Sequence, residues 1–186
     1  IDPALQRMEP DKKIILVTTH RRENFGEPLL GICSAVAELA DSRDDLAVVW
    51  PVHKNPSVSK IVHSRLSGRK NVKLIEPLEY REFVHLMAKS SIILSDSGGI
   101  QEEAPSLNIP VLVLRKATER PEGVTAGATQ LVGTDAEEIL EATTRLLDDE
   151  KVYAKMASAT NPYGDGFAAQ RIANAIKAYF HENQRQ

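Results

Sequence analysis

Short apolar runs rich in β-branched residues alternate with stretches whose apolar residues recur at helical spacing, and this alternation is what most constrains the fold. Lys13 to Thr19 (KIILVTT) is unbroken, as in a strand buried on both faces. Leu46 to Val52, Asn71 to Ile75, Ser91 to Ser95 and Pro110 to Arg115 read as further strands, and Thr129 to Val132 as a sixth. Between them, Pro28 suits a first helical position ahead of Leu29, Ile32, Cys33, Val36, Leu39 and Ala40. A weaker helix is expected over Pro56 to Leu66. Tyr80, Phe83, Val84 and Met87 mark one helical face. Another helix is expected from Gly98-Gly99 to about Leu107. Asp135 and Glu138 read as a capping box, with Ile139, Leu140, Thr143, Leu146 and Leu147 on the buried side. Two more helices are expected, near Glu150 to Ser158 and Gly166 to His181. Strands and helices alternating at this interval make βαβ units. The expected fold class is α/β: a Rossmann-like three-layer α/β/α domain with a mostly parallel sheet and right-handed crossovers.

Composition excludes several functions. The 23 basic and 26 acidic residues give a net charge of −3, which argues against a nucleic-acid-coating protein. Aromatics are only 5%, too few for a base-stacking platform. No apolar run approaches the ~18 residues of a membrane span, and nothing at the start reads as a signal peptide. Cys33 is the one cysteine, so no internal disulfide and no cysteine-built metal site is expected, and a cytoplasmic location fits. His53, His63 and His85 lack the close pairing of a metal site, so no metal is assigned. No cofactor is expected. The chain begins Ile1-Asp2-Pro3, without an initiator methionine, as expected of a processed or trimmed chain or a piece of a longer one.

In an open α/β sheet, ligands bind outside the carboxyl ends of the strands. Two loops there stand out. Thr19-His20-Arg21-Arg22-Glu23-Asn24 follows the first strand as a compact cationic cluster. It suits phosphate or carboxylate, or else is a solvated basic turn capped by Glu23 and Asn24. Ser95 to Glu103 (SDSGGIQEE) follows the fourth strand. Its Ser97-Gly98-Gly99 turn opens a helix, exposing successive N–H groups and a hydroxyl where the helix dipole favours an anion. Glu103, one turn later, can accept hydrogen bonds from a ribose diol. The alternative is a tight turn with Ser97 as an ordinary N-cap. The loop lacks the Gly-Lys-Ser/Thr ending of a Walker loop and does not follow the first strand as a dinucleotide fingerprint does. Phe83 reads as core on its stripe, His53 as a loop histidine, and Cys33 as a buried apolar residue. Arg120 and Glu122, in the long loop from Lys116 to Gly127, read as a surface ion pair.

Taken in order, His20-Arg21-Arg22-Glu23-Asn24, Pro51-Val52-His53, Asp96 to Pro105 (DSGGIQEEAP), Thr118-Glu119-Arg120-Pro121-Glu122 and Asn161 to Gly166 (NPYGDG) resemble the non-hydrolysing UDP-N-acetylglucosamine 2-epimerases. The resemblance covers the carboxyl-terminal half of that family, whose members pair two Rossmann-like domains in the GT-B arrangement around a cleft. It implies that His20 is catalytic and reaches the pyrophosphate near the scissile oxygen. Ser97, Gly98 and Gly99 would cradle phosphate and Glu103 would hold the ribose hydroxyls. Leu78 and Phe83 would wall the uracil pocket, and Arg22 and Arg120 would contact substrate. Arg21 and His53 correspond to residues that help bind a second, regulatory UDP-GlcNAc.

The reaction implied is interconversion of UDP-GlcNAc and UDP-ManNAc, by elimination of UDP and its re-addition with C2 inverted, in the supply of cell-envelope polysaccharide. The partners implied are UDP and UDP-N-acetylhexosamines, an amino-terminal domain, and a second copy in a homodimer of the full-length protein. Residues 1–186 would form one UDP-binding domain, with a helix at 166–182 packed on the amino-terminal domain. The family draws its proton-transfer carboxylates from that domain, so this chain alone is expected not to epimerise. The alternatives are the sugar-nucleotide domain of a GT-B glycosyltransferase and a stand-alone nucleotide-binding module.

Overall fold

The computed structural model describes residues 11–183, so the chain start, Ile1-Asp2-Pro3, lies outside the described residues. Six strands form one sheet: β1 Lys13–Thr18, β2 Leu46–Pro51, β3 Val72–Ile75, β4 Ile92–Ser95, β5 Val111–Val113 and β6 Thr129–Leu131. Their order is β3-β2-β1-β4-β5-β6, and every pairing is parallel. The helices are α1 Glu27–Ser42, α2 Pro56–Leu66, α3 Tyr80–Lys89, α4 Gly98–Glu103, α5 Pro121–Thr125, α6 Ala136–Asp148, α7 Glu150–Ala157 and α8 Ala168–Asn183.

The period of two along each strand divides the core into two layers. Ile15, Val17, Val48, Trp50, Ile92 and Leu94 face α1, α2 and α6 on one side. Ile14, Leu16, Val49, Ile93, Val111 and Val113 face α3 and α4 on the other. The expected α/β layering is therefore present. At Gly31, in α1, an added Cβ would run into the carbonyl oxygen of Thr134, so the loop before α6 needs a glycine to pack this closely. Cys33 is buried, and burial pushes its thiol up to about 12, consistent with an inert core residue.

Several details depart from the sequence reading. The helix after β4 is α-helical only to Glu103 and continues as a 3-10 turn over Ala104–Leu107. Pro105 has no N–H to give to the carbonyl four residues back, so the ladder tightens there. Asp135 accepts from the N–H groups of Glu137 and Glu138, but the described hydrogen bonds include no return from the Glu138 side chain, so the capping box is half formed. Leu140 is only partly buried. Tyr80, expected on the apolar face of α3, is 67% exposed at that helix's first residue. The long loop after β5 contains α5, begun by Pro121.

The strand order places a reversal between β1 and β4. β1 crosses over to β2 on one side, while β4 continues to β5 on the other, so the connections diverge and leave a crevice at the carboxyl ends of β1 and β4. The two loops singled out by composition emerge there.

Candidate functional site

Asp96, fully buried at the end of β4, organises the crevice. Its carboxylate accepts from the backbone N–H of His20 (3.1 Å to each oxygen), from that of Arg21 (3.0 Å) and from Asn24 Nδ2 (3.0 Å). His20 Nδ1 lies 3.0 Å from Asp96 Oδ1. Burial pushes the carboxyl up, but the His20 ring and the N–H groups around it outweigh that, and Asp96 sits below the usual carboxylate range. Engagement of Nδ1 by a carboxylate fixes the ring and leaves Nε2 with no partner among the described residues.

The loop after β1 is anchored at its ends while His20, Arg22 and Glu23 stay exposed. Asn24 is buried, and its amide also donates to the Leu114 carbonyl (3.1 Å). Glu23 pairs with Arg115 (2.5 Å), whose guanidinium also binds Glu119 at 2.6 and 3.0 Å and pulls that carboxyl down to about 2. Arg22 opens a 3-10 turn over Arg22–Asn24. Its side chain is exposed and makes no hydrogen bond or ion pair within the described residues, so the structure leaves it apart from the others.

Around the start of α4 the expected groups converge. Ser97 makes no side-chain cap bond, so it is not the ordinary N-cap of the alternative reading. The guanidinium groups of Arg21 and Arg120 each come within 3.6 Å of where a Cβ on Gly98 would stand. Arg21 also donates through Nε to the Asp96 carbonyl (3.0 Å). Arg120 pairs with Glu102 (2.5 Å), not with Glu122 as the sequence suggested. Glu103 turns back along the helix, with Oε1 3.8 Å from the Cβ position of Gly99. Its Oε2 accepts from the Tyr80 hydroxyl at 2.9 Å.

Beside the start of α4 lies a cleft of about 230 Å³, lined among others by His20, His53, Leu78, Phe83 and Ser97. Phe83 is therefore wall as well as core. His53 Nδ1 accepts from the Asn55 N–H (3.2 Å). A larger open depression of about 860 Å³ lies between α1 and the loop before α6. None of the residues singled out for ligand contact lines it.

Over residues 2–177 the chain matches the profile of a family described as UDP-N-acetylglucosamine 2-epimerase. The chain belongs to that family. The UDP-N-acetylglucosamine 2-epimerase of Escherichia coli K12 is 56% identical over 170 residues, covering 91% of this chain and 45% of that protein. A crystal structure of the UDP-GlcNAc 2-epimerase from Neisseria meningitidis, bound to UDP-GlcNAc, superposes with a TM-score of 0.90 at 49% identity, over 95% of this chain and 48% of that one. The chain thus spans about half the length of the epimerases it matches. The calicheamicin glycosyltransferase CalG4, at 20% identity and a TM-score of 0.65 over 98% of this chain and 47% of that one, shares the fold alone.

Three residues that take part here were given no role of their own from the sequence, Asp96, Gln101 and Thr118, and two were read differently, Asn24 as the cap of a solvated turn and Tyr80 as part of an apolar helical face. Thr118 donates to Gln101 Oε1 (2.6 Å) and accepts from the Arg120 N–H (3.0 Å), tying the loop of Arg120 to α4. The signal they carried was membership of the motifs that resemble the epimerases: Asn24 in the first, Asp96 and Gln101 in the third and Thr118 in the fourth.

Proposed function

We propose that this chain is the UDP-binding half of an enzyme that interconverts UDP-GlcNAc and UDP-ManNAc by eliminating UDP and returning it with C2 inverted. The observation that carries this reading is the two guanidinium groups over Gly98 beside a histidine held by a buried carboxylate, in a chain of the epimerase family. Elimination builds negative charge on UDP. The N–H groups at the start of α4, Arg21 and Arg120 would stabilise it. His20, anchored through Nδ1, offers Nε2 to the oxygen that leaves C1. UDP must also be retained for return, and Glu103 on the ribose with Leu78 and Phe83 at the base would retain it. In this reading Arg21 serves the same diphosphate site as Arg120. Arg22 is an exposed cation with no part in it, and a regulatory ligand would enter past His53.

Proton removal at C2 needs a free base. The carboxylates around the start of α4 have other work in this reading: Asp96 is engaged by His20 and the N–H groups around it, Glu102 by Arg120 and Glu119 by Arg115, and Glu103 is assigned to the ribose. We assign that base to an amino-terminal half packed across the cleft in a GT-B arrangement, in a protein that dimerises when whole. α8 supports this. Phe167, just before it, and Ile172, Ile176, Tyr179 and Phe180 within it are 52–64% exposed, an apolar face suited to that second domain.

The test is an assay of the purified chain with UDP-GlcNAc. The expected result is UDP binding without UDP-ManNAc formation, with epimerisation and protection of α8 amides both appearing when the amino-terminal half of a relative is supplied. UDP-ManNAc made by the chain alone would refute this division of labour.

A further inference from the structure

The Asn161 to Gly166 turn has no part in the site described so far, yet it reaches the segment that carries Arg120. Gly123 stands in the first turn of α5, where helix N–H groups lack internal partners. Its N–H donates to Tyr163 Oη at 2.9 Å, and the same hydroxyl donates to the Arg120 carbonyl at 3.1 Å. A side chain from forty positions along the chain thus caps α5 and fixes the backbone of Arg120 at once. The contact is close: a Cβ on Gly123 would stand 2.8 Å from Tyr163 Oη and 3.1 Å from Thr129 Oγ1.

Asn161 completes the arrangement. Its Oδ1 accepts the Tyr163 N–H (3.0 Å), and its Nδ2 donates to Ser106 Oγ (2.6 Å) and to the Glu102 carbonyl (3.4 Å). Glu102 is the residue whose carboxylate pairs with Arg120. One short turn therefore grips both the arginine's backbone and its counter-ion's helix. Arginine loses considerable rotamer freedom when it is ordered. A backbone already fixed at Arg120 lowers what a ligand must spend to order that side chain.

We propose that Tyr163 is a positioning residue for Arg120, holding its guanidinium over Gly98 for a diphosphate. The inference rests on the reading of Gly98 and Arg120 as the diphosphate site. It is tested on the 186-residue chain with Tyr163→Phe, Arg120→Ala and the double variant, each titrated with UDP and with uridine. Tyr163→Phe is expected to weaken UDP binding roughly three- to tenfold and to leave uridine binding unchanged. The double variant is expected to bind UDP no more weakly than Arg120→Ala alone. Gly123→Ala, which crowds the same hydroxyl, is expected to reproduce the phosphate-selective loss.

Parental UDP affinity in Tyr163→Phe, or equal losses for UDP and uridine, would overturn the proposal. Failure of the parent to bind UDP, or of Arg120→Ala to weaken it, would instead remove the diphosphate reading and the positioning role with it. Amide exchange at Gly123, expected to be slow in the parent and fast in Tyr163→Phe, then decides whether the latch itself exists.

Discussion

Asp96→Ala is expected to lower the melting temperature by roughly 6–20 °C, corresponding to about 3–5 kcal/mol for breaking a buried charged network in a domain of this size. The substitution removes the shared acceptor of the His20 and Arg21 N–H groups, the Asn24 amide and the His20 ring. Those donors sit at the end of the central strand, where water cannot replace the carboxylate cheaply. The pH dependence has a definite sign. Asp96 titrates below its unfolded value, near ~3.9, so its stabilisation is complete above that value and is lost as pH falls through the lower folded one. The parent should therefore lose stability in acid more steeply than Asp96→Ala. Denaturant melts of both proteins from neutral pH to acid measure this. Melting within ~2 °C of the parent at neutral pH would show that Asp96 is not the keystone of the loop.

The second large effect is on binding. Glu103→Ala is expected to weaken UDP by about 1–3 kcal/mol, or roughly 5- to 150-fold, the scale of hydrogen bonds to a charged acceptor. Glu103 Oε1 points toward Gly99 while Tyr80 occupies Oε2, so one carboxylate oxygen is presented beside the helix start. The loss should be nearly as large for uridine, because the ribose is the group Glu103 is proposed to hold. Calorimetric titration separates the outcomes, since equal UDP affinity in parent and variant would take Glu103 out of the site.

Much of this was legible in the sequence because it depends on local order. Unbroken β-branched runs specify strands buried on both faces, and Ser97-Gly98-Gly99 at a strand end specifies a helix start open to a ligand. The partnerships were not legible. Nothing near Asp96 in sequence says that its carboxylate closes on a loop more than seventy positions earlier, because that juxtaposition is created by the parallel pairing of β1 with β4. For the same reason Arg120 was read with its neighbour Glu122, when the fold brings it to Glu102 on α4. Tyr80 shows the limit of periodicity: it shares the stripe of Phe83 and Met87, but lies at the helix's first residue, beyond the sheet that covers them.

Soaking UDP into crystals of the chain tests the central claim most directly. The account predicts the diphosphate on the N–H groups of Gly98 and Gly99 between Arg21 and Arg120, with the ribose hydroxyls on Glu103 and the uracil against Leu78 and Phe83. Density for UDP in the depression beside α1, or nowhere on the molecule, would contradict it.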